Sequence, residues 1–168
     1  MEIAVLALGC FWGPEKKYGQ LNGIYRTEVG YCGGNNPNTN YREVCTGTTN
    51  HAEAVKLEFD PKVITYEQII NKFFEFHDPT TLNSQGPDFG TQYRSEIFYL
   101  NDEQKIIAQK IIDDVNTKLS GKVVTKLSEL KNYCTAEEYH QKYLEKLPQP
   151  IDHNHSSTLG HLYLAFRS

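Results

Sequence analysis

The apolar run Ile3-Ala4-Val5-Leu6-Ala7-Leu8 passes directly into Gly9-Cys10-Phe11-Trp12-Gly13-Pro14, and this junction constrains the fold more than any other stretch of the chain. A short continuous apolar segment reads as a buried strand. Pro14 then favours a helix start, because its missing N–H would have had no intrahelical acceptor in the first turn, and a helix is expected from Pro14 to Gln20. Cys10 therefore falls at or just before a helix N-terminus. Unpaired N–H groups and the positive end of the helix dipole favour an anion there, and thiols so placed ionise below the free value of about 8.5. Phe11 and Trp12 follow at once, and the only tryptophan of the chain is expected to be buried. A reactive cysteine is the first expectation; a small buried thiol between core aromatics is the alternative.

At 168 residues the chain has the length of a single domain, here taken as 1–168, with enough residues to bury a core. Its net charge of −4, with no cluster of Lys or Arg, argues against a nucleic-acid partner or an anionic membrane surface. No stretch approaches the roughly 20 apolar residues of a membrane span, and Met1-Glu2 opens straight into the first strand without a basic leader. A cytoplasmic location is expected. The four cysteines, Cys10, Cys32, Cys45 and Cys134, are scattered and form no C-x-x-C pair. That spacing excludes a zinc knuckle and a thioredoxin-type dithiol, and leaves each thiol as core filler or redox chemistry.

Further along, Tyr25 to Tyr31 alternates like a strand and ends at Gly33-Gly34. Asn35 to Asn40 is rich in turn formers and reads as a loop, continuing into Tyr41-Arg42-Glu43-Val44-Cys45. His51 to Phe59 reads as another strand. The pattern Thr65-x-x-Gln68 is a capping box for a helix ending near His77, since Asp78 precedes a proline. Residues 79–92 form a long loop without periodicity, a length uncommon in compact domains unless functional. Ser95 to Leu100 is expected as a strand, Asn101 to Gly121 as a capped helix, Lys122 to Leu127 as a strand, and Thr135-x-x-Glu138 as the start of a third long helix carrying Tyr139, Tyr143, Leu144 and Leu147. The tail 148–168 is irregular. These elements assemble into an α+β two-layer sandwich, a ferredoxin-like mixed sheet covered by helices and carrying long functional loops.

Polar groups at element boundaries are where rigid scaffolds present reactive side chains. Singly, Tyr41, His51, Glu53 and the segment Gly86 to Ser95 are weak signals. In order, GCFWG, GYxGG, PNxxYxEVC, HAE, HDP, GxDxGTQYRS and AEEYHQ resemble the A-class methionine sulfoxide reductases, over residues 5 to 147. That resemblance implies reduction of the S epimer of methionine sulfoxide, free or in proteins, by a thiol mechanism. Cys10 would attack sulfur and become a sulfenic acid as methionine leaves. Phe11 and Trp12 would wall in the methyl group. Glu53 would hold a proton for the departing oxygen, a task suited to a carboxyl withdrawn from water. Tyr41 and Tyr93 would hydrogen-bond the same oxygen as it gains charge, and Asp88 would support the site. His51 falls within the motif without a role in the chemistry.

A sulfenic acid must be reduced before another turnover. Family members often carry recycling cysteines in a C-terminal tail, and this tail has none. Either Cys32, Cys45 or Cys134 resolves Cys10, or the enzyme uses one cysteine and an external thiol such as thioredoxin, glutaredoxin or glutathione, replaced by dithiothreitol in vitro; the second is favoured. No bound cofactor is expected. His153, His155 and His161 lie without a cysteine or acidic ligand set nearby, so no metal is expected either. Two other readings are a Cys-His hydrolase pairing Cys10 with His51, His77 or His140, and a non-catalytic module using Phe11 and Trp12 as a hydrophobic anchor.

Overall fold

A computed structural model describes residues 1–148; the tail histidines His153, His155 and His161 lie outside the described residues. Strand β1 (Glu2–Leu8) is central, paired antiparallel with β3 (Ala52–Phe59) on one side and β6 (Ser95–Tyr99) on the other. That central position is why its sequence is apolar without alternation: both faces are covered. Strand β2 (Ile24–Cys32) pairs antiparallel with β3, so the core order β6-β1-β3-β2 is ferredoxin-like. Two further strands extend it. β7 (Lys126–Glu129) runs parallel to β6 and makes the sheet mixed, while β8 (Cys134–Thr135) closes the β2 edge.

Helices α1 (Trp12–Gly19), α3 (Tyr66–Phe76) and α4 (Asp102–Lys118) pack on one face, over Ala4, Leu6 and Leu8 of β1 and Val55, Leu57 and Phe59 of β3. The opposite face is smaller. There Val5, Ala7, Cys32, Ala52, Ala54 and Phe98 are covered by Leu130 and Tyr133. Helix α3 begins at the expected capping box, with both reciprocal bonds between Thr65 and Gln68 formed. Asn101 caps α4 by accepting the Gln104 N–H at 2.9 Å.

Four expectations need correction. Helix α1 starts at Trp12 rather than Pro14, because a residue without an N–H is tolerated throughout the first turn. Tyr41–Cys45, read as a loop, is a short helix α2: Asn40 accepts the Glu43 N–H at 2.9 Å, so a residue taken as a turn former is an N-cap. The strand expected over Lys122 to Leu127 begins four residues later, as β7, and runs two residues further. The third long helix is absent. Thr135 and Ala136 are taken by the edge of β2, and the Glu137 carboxylate bonds Tyr31, Tyr41 and Tyr139, so the chain makes β8, a single 3-10 turn at Glu138–His140 and a short α5 (Tyr143–Lys146).

Within the long loop 79–92 a two-residue hairpin forms, β4 (Ser84–Gln85) against β5 (Asp88–Phe89), followed by a 3-10 turn at Thr91–Tyr93. Among the described residues no helix is long and apolar enough to cross a membrane.

Candidate active site

The end of β1, the start of β3, the end of β2 and the turn before β6 all meet at one end of the sheet. Gly9 makes the turn out of β1 with φ +98°, and a Cβ there would sit 2.9 Å from the Gln85 side chain. The hairpin therefore lies directly against the strand end, and only glycine fits both the backbone and the space. Gln85 is pinned in turn: its amide accepts the Asp78 N–H at 3.1 Å and donates to the Asp78 carbonyl.

Cys10 precedes Phe11, the N-cap of α1, and all of Cys10, Phe11 and Trp12 are buried. The Phe11 N–H, which α1 cannot use internally, donates to Glu53 Oε1 at 3.2 Å. Extending the β1–β3 register of Leu6 with Val55 places Glu53 beside Leu8, on the helix-covered face, where it is 1% exposed. A carboxyl of the sheet and the thiol of the turn are thus held at the same helix start.

Tyr41 and Tyr93 are partly buried and pack against the Cys10, Phe11 and Trp12 cluster together with Val29, Tyr31 and Val44. Burial raises the pKa of both phenols; Cys45, Glu53 and Cys10 add to this at Tyr41, and Glu53, Tyr41, Asp88 and Cys10 at Tyr93. Both hydroxyls therefore stay protonated at neutral pH and can donate. Of the residues expected to meet Cys10, Glu53 and Tyr41 stand close enough to Tyr93 to bear on its ionisation, as does Asp88 from the hairpin.

The indole of Trp12 stacks on Tyr143 with centroids 3.7 Å apart and planes at 14°, and its Nε1–H donates to His140 Nδ1 at 3.1 Å. Phe11 lies 5.8 Å from the Tyr31 ring and 5.2 Å from His140. Glu137 binds three groups: the Tyr31 hydroxyl at 2.8 Å, the Tyr41 N–H at 3.0 Å and the Tyr139 hydroxyl at 3.2 Å. Arg94 is equally central. It pairs with Glu96 at 2.7 Å and donates to the carbonyls of Thr91 and Asn50, tying the turn that carries Tyr93 to the loop that leads into Glu53. Glu137 and Arg94 both lie inside the motifs, yet nothing local in the sequence gives either a task. Their signal was weak, because it is a long-range bonding pattern and not a spacing.

The histidines divide. His51 accepts the Gly34 N–H at Nδ1 (3.0 Å) and meets the Asn36 carbonyl through Nε2 (2.6 Å), so it braces the glycine loop. His77 donates from Nδ1 to Phe73 and bonds Ser95 through Nε2. Both rings are spent on structure, which removes them as partners of a Cys-His hydrolase.

The other thiols stand in different surroundings. Cys32 is fully buried on the opposite face of the sheet, with burial pushing its thiol up to about 11. Cys134 pairs in register with Tyr31 and reaches the Thr39 carbonyl at 3.7 Å. Cys45 is exposed, one helical turn from Tyr41. No group of three or more His, Cys, Asp or Glu suited to a metal ion occurs among the described residues.

The chain matches the family model described as peptide methionine sulfoxide reductase over residues 2–163. It is 73% identical over 146 residues to the peptide methionine sulfoxide reductase MsrA of Pelagibacter ubique, covering 87% of this chain and 99% of that relative. Among solved structures it resembles reduced Mxr1 from Saccharomyces cerevisiae, with a TM-score of 0.83 and 43% identity over 90% of this chain and 88% of that one. It also resembles Mxr1 in complex with Trx2, with a TM-score of 0.61 and 29% identity over 84% of each chain. With the fold, the cysteine at the helix start and these likenesses in agreement, the chain belongs to the peptide methionine sulfoxide reductase family.

Proposed function

We propose that this protein reduces the S epimer of methionine sulfoxide, free or in oxidised proteins, with Cys10 as nucleophile. The observation that carries the reading is the meeting of Cys10 and Glu53 at the start of α1, through the Phe11 N–H, beneath two phenols held protonated. Cys10 sulfur attacks the sulfoxide sulfur. The oxygen, gaining negative charge, accepts hydrogen bonds from Tyr41 and Tyr93 and a proton from Glu53. Phe11 and Trp12 hold the methyl group, so that only one epimer presents its oxygen to Glu53. Asp88 acts from the hairpin beside Tyr93.

The bond between the two sulfurs then breaks as the protonated oxygen passes from the substrate sulfur to Cys10, so methionine leaves as the thioether and Cys10 holds the oxygen as a sulfenic acid. Two equivalents of thiol then return it to the thiol, releasing water and a disulfide. An external reductant performs this step, and a thioredoxin is the favoured class because the related Mxr1 forms a complex with Trx2. Glutaredoxin or glutathione supplies the same chemistry, and a reducing cytoplasm suits it.

The test is incubation with each sulfoxide epimer and dithiothreitol. Methionine is expected from the S epimer alone; turnover of neither, or of the R epimer alone, rejects the proposal.

A further inference from the structure

We propose that His140 is a positioning residue, which fixes the Trp12 wall of the substrate pocket while its ring is neutral and releases it when the ring is protonated. The proposal rests on the reading of Trp12 as the wall that holds the substrate methyl.

His140 is 2% exposed and enclosed by aromatic rings: Tyr139 at 4.3 Å, Tyr41 at 4.7 Å, Phe11 at 5.2 Å and Trp12 at 5.7 Å. An indole N–H can only donate, so the Trp12 bond to Nδ1 requires an unprotonated Nδ1 and puts the ring proton on Nε2. That Nε2 is buried and has no hydrogen-bond partner among the described residues. Among the described residues the bond to Trp12 is therefore the one polar contact of the ring that selects its tautomer.

Adding a proton at Nδ1 sets N–H against N–H. The bond breaks, since Nε2 already carries its own proton and offers the indole nothing in exchange, and the Trp12 ring loses that anchor. Burial opposes protonation, and the Glu137 carboxylate favours it in part. The other titratable groups against the ring are Tyr41 of α2 and Tyr139 of its own turn, both phenols raised by burial and so neutral when the imidazole protonates. The release therefore belongs to acid solution.

Trp12 is the sole tryptophan, so its fluorescence reports this contact without a probe. In substrate-free protein, emission is expected to change in a single acid transition with a midpoint below the ordinary histidine value of about 6.5, and ahead of any loss of far-UV circular dichroism. The transition is absent in His140→Gln, whose amide oxygen accepts the indole N–H at every pH. In the same window KM for the S-sulfoxide rises about three- to tenfold in the wild type, the size of one lost hydrogen bond. At neutral pH His140→Phe shows a comparable rise in KM, and His140→Gln recovers most of it. A fluorescence transition that persists in His140→Gln, or one that coincides with unfolding, overturns the proposal, as does a KM that responds to acid equally in wild type and His140→Gln. If neither epimer turns over, the proposed activity fails while the fluorescence titration still decides the contact.

Discussion

Replacing Glu53 by Gln removes the acidic proton and leaves size and an oxygen acceptor for the Phe11 N–H in place. Glu53→Gln is therefore expected to fold normally and to lose roughly 10²–10⁴-fold in the rate of methionine formation, the usual share of a proton donor, measured in single turnover with each step read by thiol counting. Glu137 makes a different case. Its three bonds hold Tyr41 by the backbone and Tyr31 by the hydroxyl, so Glu137→Ala misplaces a hydrogen-bond donor without touching the chemistry. A loss of about tenfold or more in kcat, with a stability cost of about 1–3 kcal/mol for the stranded partners, is the expected outcome by kinetics and urea titration. For recycling, Cys32→Ser, Cys45→Ser and Cys134→Ser should each sustain multiple turnovers with dithiothreitol. A variant that stalls after one turnover with Cys10 oxidised would identify that residue as a resolving thiol and refute the external one-cysteine cycle.

At the level of elements, the site depends on how closely the hairpin β4–β5 approaches the end of β1. Gly9→Ala places a Cβ against Gln85 and forces a φ that an alanine rarely adopts. It is expected to cost about 1–3 kcal/mol in chemical unfolding and to lower activity through the displaced turn at Cys10. The same scale explains what the sequence could reveal. β1, α3 and α4 were legible because each is specified by its own residues: an uninterrupted apolar run, a capping box, an Asn N-cap with helical spacing. The end of the chain was not. Thr135-x-x-Glu138 has the local form of a helix start, but its residues are consumed by the β2 edge and by Tyr31, partners more than 100 positions away. Likewise Cys10, Glu53, Tyr41 and Tyr93 could be picked out by the order of their motifs. Arg94, Glu137 and the Trp12 contact of His140 could not, since each acts through a bond between segments that no spacing encodes.

For the whole molecule, acid is the condition that reveals how histidine is used. His77, His51 and His140 are all held toward the neutral form by burial, His77 down to about 4. Between the unfolded value of about 6.5 and about 4, the unfolded chain binds more protons than the folded one, so stability is full above that window and falls as pH falls through it, by up to about 3 kcal/mol from His77. Thermal or urea unfolding across this range should show the decline. It should be shallower in His77→Gln, compared at each pH with the variant's own neutral value; an unchanged slope would count against this assignment. The contact between Trp12 and His140 has a consequence in time as well. They are 128 positions apart. At roughly 5–20 residues per second of synthesis, Cys10 and its aromatic neighbours are made some 6–26 s before the segment that encloses them. Each new molecule therefore passes through an interval in which the sulfur proposed as its nucleophile is made but not yet housed, open to oxidants and thiols alike.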